Sequence, residues 1–288
     1  MTNTILVTGA TGNVGGQVVK QLAAAGANVR AAVRSTSRAE GLTGVELVEF
    51  DFNKPETVQA AFEGADKVFL ATPLVPNMVE IEATSVEVAK KAGVKHIVKL
   101  SVMGADSQPE MILAQMHREG EKKIEDSGIS YTFFRPNSFH QNYITYTGNT
   151  IKSQNAFYLP LGDGKISFVD TRDIGAVAVA ILTQSGHEGK AYEITGSEAL
   201  SNAQLAEIFS TVLGRQINYI DIPEDSARNA MKEIGMPDLQ IDMVLGLYAA
   251  QKAGAYSSLS PVVEQITGKK PITFEQFVRD YAQVFTGS

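Results

Sequence analysis

The chain has 288 residues, 44% apolar and 20% charged, with a net charge of −7 and a sequence pI of about 5.2, an ordinary globular composition for one large domain or one and a half. It has no cysteine, and its four histidines, at 96, 117, 140 and 187, show no metal-ligand spacing. Disulfides, thiolate catalysis and cysteine-based zinc sites are therefore excluded, and no metal is expected. The acidic balance argues against a nucleic-acid or anionic-membrane surface, and no apolar run reaches membrane-spanning length.

Thr4 to Thr8 reads as a short buried strand running straight from the N-terminus, so no secretory signal is expected and the setting is read as cytoplasmic. A turn with Gly9, Gly12 and Gly15 follows, and a helix opens near Val14. Gly9 lets the chain leave the strand tightly, Gly12 lets a pyrophosphate approach the backbone, and Gly15 or Gly16 lets the helix pack against the strand. The free N–H groups and positive end of the helix dipole then face phosphates. Other α/β turns also carry glycine triplets, but here the strand before and the helix after supply the required context.

Val14, Val18 and Leu22 share one helix face and Gly26 stops the helix. A second strand, Val29 to Val33, ends in Arg34-Ser-Thr-Ser-Arg38. A carboxylate at this place would accept hydrogen bonds from both ribose hydroxyls, whereas an arginine meets a 2′-phosphate. Arg34 thus points to NADP(H), while still admitting NAD(H); the alternative is a solvated basic turn. Val45 to Phe50 is a third strand leading into Asp51-Phe52. These two residues either meet the adenine or, in the case of Asp51, cap the next loop. Pro55 starts a helix through Phe62. A fourth strand, Lys67 to Ala71, delivers Thr72, Pro73 and Leu74 to the carboxyl edge of the sheet, where ligands of open α/β folds bind. Helix Val79 to Ala92, strand His96 to Ser101, helix Ile112 to Asp126 and strand Ser130 to Phe134 complete a strict alternation, the pattern of a Rossmann-type doubly wound parallel sheet.

The second half is less regular. Ala156 to Leu159, Ala191 to Ile194 and Asn218 to Ile222 read as strands, and 162–165 as a turn. A helix follows Asp173, and others are read near Glu224–Ile234 and Pro237–Lys252. Ser201-x-x-Gln204 and Thr273-x-x-Gln276 each open an amphipathic helix, the last carrying Phe274, Phe277, Val278, Tyr281 and Phe285 as core. The expected organisation is a dinucleotide-binding domain over 1–150 and a smaller, mostly helical C-terminal substrate lobe over 151–288. That lobe is interwoven with the Rossmann core, with 165–195 returning to it.

Over nearly its whole length the chain resembles the NmrA-like family of atypical short-chain dehydrogenases/reductases, in its quinone oxidoreductase and triphenylmethane reductase group. The resemblance rests on Thr8-Gly-Ala-Thr-Gly-Asn-Val-Gly15, Ala92-Gly-Val-Lys-His-Ile97, His117-x-x-x-Glu121, Ser127-Gly-Ile-Ser-Tyr-Thr132, Gly162-Asp-Gly-Lys-Ile166 and Gly186-His-Glu-Gly-Lys-Ala-Tyr192. By position it implies cofactor contacts at Thr11, Gly12, Asn13, Val14, Arg34 and Thr72 to Leu74. It also implies that the loop Asn137, Ser138, Phe139, His140, Gln141, Asn142 lies beside the nicotinamide. The loop departs from a common family form, reading Arg135-Pro136-Asn137 where Arg-Asn or Arg-Pro-Gly is frequent.

Ordinary short-chain dehydrogenases carry Tyr-x-x-x-Lys on the helix after the fifth strand, the tyrosine serving as acid for an alcohol/ketone couple. Here that helix has His117 and Glu121; Tyr248-Ala-Ala-Gln-Lys252 lies far from the place and is read as a chance match. A quinone or a cationic dye needs no strong acid when hydride arrives, so the protein mainly supplies proximity and a dry pocket. His117 is the candidate proton donor; the alternative is an i, i+4 helix-face pair with Glu121. Phe139, His140, Tyr143 and Tyr146 line a pocket for a flat aromatic substrate, or else are loop packing. The expected activity is NAD(P)H-dependent hydride transfer to a quinone, dye or azo compound. The alternative is a non-catalytic NADP(H)-sensing regulator, with a nucleotide-sugar epimerase third. A small aromatic substrate and neither nucleic acid nor membrane are the expected partners, with room for a homodimer.

Overall fold

The computed structural model describes residues 3–36, 39 and 41–286. The elements begin β1 (Thr4–Val7), α1 (Asn13–Ala24), β2 (Asn28–Val33), β3 (Glu46–Glu49), α2 (Pro55–Phe62) and β4 (Lys67–Leu70). Next come α3 (Met78–Ala92), β5 (His96–Leu100), α4 (Ile112–Ser127) and β6 (Ser130–Pro136). A π-helical turn (Tyr143–Thr147), α5 (Gly148–Gln154), β7 (Ala156–Leu159), α6 (Thr171–Thr183) and β8 (Lys190–Ile194) follow. The chain ends with α7 (Asn202–Leu213), β9 (Asn218–Asp221), α8 (Glu224–Glu233), α9 (Asp238–Lys252), α10 (Val262–Thr267), α11 (Phe274–Asp280) and α12 (Ala282–Thr286). Two compact units form. The first takes Met1–Glu110, Ala114–Pro136 and Thr171–Glu193, and the second takes Met111–Leu113, Asn137–Asp170 and Ile194–Ser288. The chain leaves the first unit after Pro136, so residues 137–150 cluster with the second.

In the first unit the sheet runs β3-β2-β1-β4-β5-β6-β8, the doubly wound arrangement expected from the alternation. The pairings of β1 with β2 and β4, of β2 with β3 and of β5 with β4 and β6 are all parallel. The central strands are nearly continuous apolar runs because helices cover both faces. Ile5, Leu6 and Val7 are almost fully buried, and Val68, Leu70, Val86, Ile97, Ile124 and Phe133 join Leu6 in one core. Strand order reverses at β1, with β2 on one side and β4 on the other. That reversal opens a crevice at the carboxyl ends of β1 and β4. Thr8 holds the crevice together: its hydroxyl donates to Ala71 O at 2.9 Å and accepts from Ala71 N at 2.8 Å. Gly175 brings α6 close to α1, since a Cβ there would stand 2.6 Å from Gln21 Nε2 and 3.0 Å from Gln17 Cβ. β8 lies beside β6 at the sheet edge.

In the second unit β7 and β9 form a parallel pair, and Ser201 makes the full capping box with Gln204. Its core is aromatic: Tyr143 and Phe209 both pack edge-on against Phe274 with centroids 5.2 Å apart, and Phe209 meets Phe285 at 5.0 Å. Two local features depart from the sequence reading. The single last helix is broken at Tyr281, which turns Phe285 onto Phe209. The segment after His140 coils as a π-helical turn, because Thr145 and Thr147 hydroxyls bond back to Gln141 O and Tyr143 O and compete with a regular ladder.

Candidate active site

The glycine turn and its helix sit at the mouth of the β1/β4 crevice. Gly9 has φ +63°, the left-handed region, and a Cβ there would stand 3.2 Å from Ala71 Cβ. Gly12 donates to Gly9 O at 2.9 Å. It is the N-cap of α1, contributes no side-chain cap, and is followed by no acidic residue in the first turn. Gly9, Thr11, Gly12 and Asn13 are exposed while Val14 is buried. The start of α1 is thus an open, uncapped helix end with nothing competing for an anion. The sequence left Gly15 and Gly16 open as the close-packing glycine. A Cβ on Gly15 would lie 2.2 Å from Gly9 O, whereas one on Gly16 would meet Ala10 O at 3.4 Å. Gly15 is therefore the one that lets α1 start against β1. This cradle fits the pyrophosphate of a dinucleotide.

Arg34 is exposed at the end of β2, and among the described residues it holds no ion pair; Arg38 lies outside the described residues. Asp51 accepts from Asn53 N at 2.9 Å and from Asn53 Nδ2 at 3.2 Å. Of the two sequence readings of Asp51, the geometry displays the loop cap. Phe52 is half-buried edge-on against Phe50, centroids 4.7 Å apart. After β4, Pro73 is exposed and Leu74 half-buried, while the Thr72 hydroxyl donates to Glu82 Oε1 at 2.7 Å.

That carboxylate begins a buried network that the sequence reading missed. Lys99 of β5 and Glu82 of α3 are both fully buried, with Lys99 Nζ 2.6 Å from Glu82 Oε1. Lys99 Nζ also lies 3.2 Å from His117 Nδ1. Burial, and then the Lys99 ammonium, hold the His117 imidazole well below the ordinary histidine range. Gly120 makes room for Glu82, since a Cβ there would fall 1.6 Å from Glu82 Oε2. Glu121 does not pair with His117. It accepts from Ser101 Oγ at 2.7 Å, and from Arg135 Nε at 2.9 Å and Nη2 at 2.7 Å, while Arg135 also reaches Asp106. The i, i+4 pair considered from the sequence is thus replaced by two separate networks on one helix. The available signal was a lysine inside the apolar run His96-Ile-Val-Lys-Leu100 and a glutamate on the buried face of α3.

In the second unit, much of the loop 137–142 turns inward. Asn137 Nδ2 donates to Ser167 Oγ and to Tyr256 O at 2.8 and 2.9 Å, and Gln141 Nε2 donates to Asp170 Oδ1 at 2.9 Å. His140 is 2% exposed, with Nδ1 3.7 Å from Asp170. The side chains of Asn137, His140 and Gln141 are therefore built into their own unit, contrary to the reading of the whole loop as ligand contacts. Ser138, Phe139 and Asn142 are half-buried. Tyr143 is also corrected: it is 2% exposed inside the aromatic core and donates to Asn202 Oδ1 at 2.6 Å, so it does not line a pocket. Tyr146 is 69% exposed. Tyr248 and Lys252 lie on α9 beside a cavity of about 400 Å³ that Asp221 and Leu245 also line.

The NmrA-like family model matches residues 1–278. The chain belongs to the NmrA-like family. Among its relatives is an NAD(P)H azoreductase of Xenophilus azovorans, 38% identical over 98% of this chain and 99% of the relative. The NADPH complex of quinone oxidoreductase QOR2 from Escherichia coli superposes with a TM-score of 0.85, at 30% identity over 96% of this chain and 99% of that one. The NADP(H) complex of the Citrobacter sp. triphenylmethane reductase gives 0.83, at 27% identity with the same coverage. Among the described residues of this NmrA-like chain, no helix is long and apolar enough to cross a membrane.

Proposed function

We propose that the chain is an NAD(P)H-dependent reductase that transfers hydride to a quinone or a related flat electrophile such as an azo compound or a dye. The observation that carries this is the uncapped glycine turn at the β1/β4 switch point, in a chain alike over its whole length to reductases of such compounds. Bound there, a reduced nicotinamide cofactor supplies hydride. Thr11, Asn13 and Val14 hold the pyrophosphate through backbone N–H groups and the helix dipole, and Gly9 and Gly12 let it approach the turn. Thr72, Pro73 and Leu74 form the β4 side of the crevice. His117 donates a hydrogen bond to the acceptor atom that gains charge.

Arg34 meets the 2′-phosphate and makes NADPH the preferred cofactor. A charge-assisted contact of this kind contributes about 1–3 kcal/mol, or roughly 5- to 150-fold in affinity. The test is oxidation of NADPH and NADH with benzoquinone, an azo dye and a triphenylmethane dye, for the parent and Arg34→Asp. Turnover that Arg34→Asp weakens with NADPH and leaves intact with NADH supports both parts. NADPH binding without turnover on any acceptor would instead favour the sensing regulator.

A further inference from the structure

The Lys99–His117 contact determines where the imidazole carries its proton. An ammonium has three donors and no acceptor. With Lys99 Nζ 2.6 Å from the Glu82 carboxylate and 3.2 Å from His117 Nδ1, Nδ1 accepts and is bare. The neutral ring then has its proton on Nε2, and no group among the described residues meets that N–H. Lys99 is itself held from behind. Glu82 Oε1 takes both the ammonium and the Thr72 hydroxyl, while Oε2 is buried without a hydrogen-bond partner among the described residues, against the Cβ-free face of Gly120. A carboxylate so enclosed has little freedom to move.

We propose that Lys99, anchored by Glu82, is a positioning residue for His117: it fixes the neutral Nε2–H tautomer, which serves as hydrogen-bond donor to acceptors that become anionic on reduction. The inference rests on the reductase reading. Hydride brings two electrons and one proton. A quinone then bears a negative oxygen and an azo group a negative nitrogen, each neutralised by a proton from solvent. A cationic triphenylmethane dye takes the same hydride at its central carbon and becomes neutral, with no anionic atom for His117 to stabilise. The tautomer device therefore sorts acceptors by class.

The experiment compares single-turnover hydride transfer to benzoquinone and to a cationic triphenylmethane dye. The variants are His117→Phe and the double variant Glu82→Gln/Lys99→Gln, which leaves no buried charge unpaired. The ¹⁵N spectrum of the His117 ring is recorded for the parent and the double variant. The expected loss with benzoquinone is about 100-fold for His117→Phe, the scale of a single oxyanion donor, with the dye rate within a few-fold of the parent. In the parent Nδ1 resonates as an unprotonated nitrogen and Nε2 as a protonated one; the double variant shows mixed tautomers. A protonated Nδ1 in the parent, equal losses for both acceptors, or an unchanged benzoquinone rate would overturn the proposal. Should no acceptor be turned over at all, the reductase reading fails, while the ring spectrum still decides the tautomer.

Discussion

Two neighbouring glycines on α1 answer oppositely to the same substitution. In Gly15→Ala the new methyl would fall 2.2 Å from Gly9 O and 2.7 Å from Gly9 C. Ordinary contacts to a methyl are about 3.4 Å or longer, so the start of α1 must withdraw from β1 by about 1 Å. The obstacle is backbone on both sides, and no rotamer change relieves it. Overpacking of this kind costs about 1–3 kcal/mol. The functional loss is larger, because the displaced N–H groups are those proposed to cradle the pyrophosphate; a misplacement of about 1 Å carries a loss on the order of 100-fold. In Gly16→Ala the methyl meets Ala10 O at 3.4 Å, at the edge of ordinary contact. The helix then gains about 0.5–1 kcal/mol from replacing an interior glycine. The assay is fluorescence titration with NADPH alongside thermal unfolding. Gly15→Ala should bind about 100-fold more weakly and melt lower, while Gly16→Ala should bind as the parent does and melt at or slightly above it. Parent-like binding by Gly15→Ala, or equal damage from both substitutions, would refute the assignment of Gly15 as the close-packing position.

Acidification should weaken the fold through His96, which burial and then Lys67 lower from 6.5 to about 4. Between these values the unfolded chain binds a proton that the folded one refuses. Stability is therefore full above pH 6.5 and falls towards pH 4, by about 3 kcal/mol. Urea unfolding across that window should show His96→Gln, which keeps a donor towards Thr132, losing less stability than the parent; identical slopes would contradict the account. Gly120→Ala forces a methyl to within 1.6 Å of Glu82 Oε2 and should lower stability by about 2–4 kcal/mol, read by thermal unfolding, since Glu82 cannot retreat without leaving Lys99 unpaired.

What the sequence made legible were features encoded locally. The β1–turn–α1 unit is read from consecutive residues, the helix caps at Ser201 and Thr273 from positions three apart, and the parallel sheet from the alternation of apolar runs with helical periods. The polar interior was not legible, because its partners are distant along the chain. Lys99 looks like an interruption of a strand until Glu82 and His117 are seen around it. Conversely Asn137, His140 and Gln141 look like ligand contacts in a polar loop, yet their side chains turn inward. Residue type alone does not distinguish a hydrogen bond offered to a ligand from one made to a buried backbone carbonyl.

The return of Thr171–Glu193 to the first unit also sets an order of events as the chain is made. When β6 leaves the ribosome, its outer edge has no neighbour and the Gln17–Gln21 face of α1 has no covering helix. The α1 face waits for α6 and the edge for β8, which is complete only some sixty residues after β6, a delay of about 3–12 s at ordinary rates of synthesis. Throughout that interval the nascent sheet exposes a bare edge strand of the kind that recruits other chains. A fragment ending near residue 150 would hold it in that exposed state permanently.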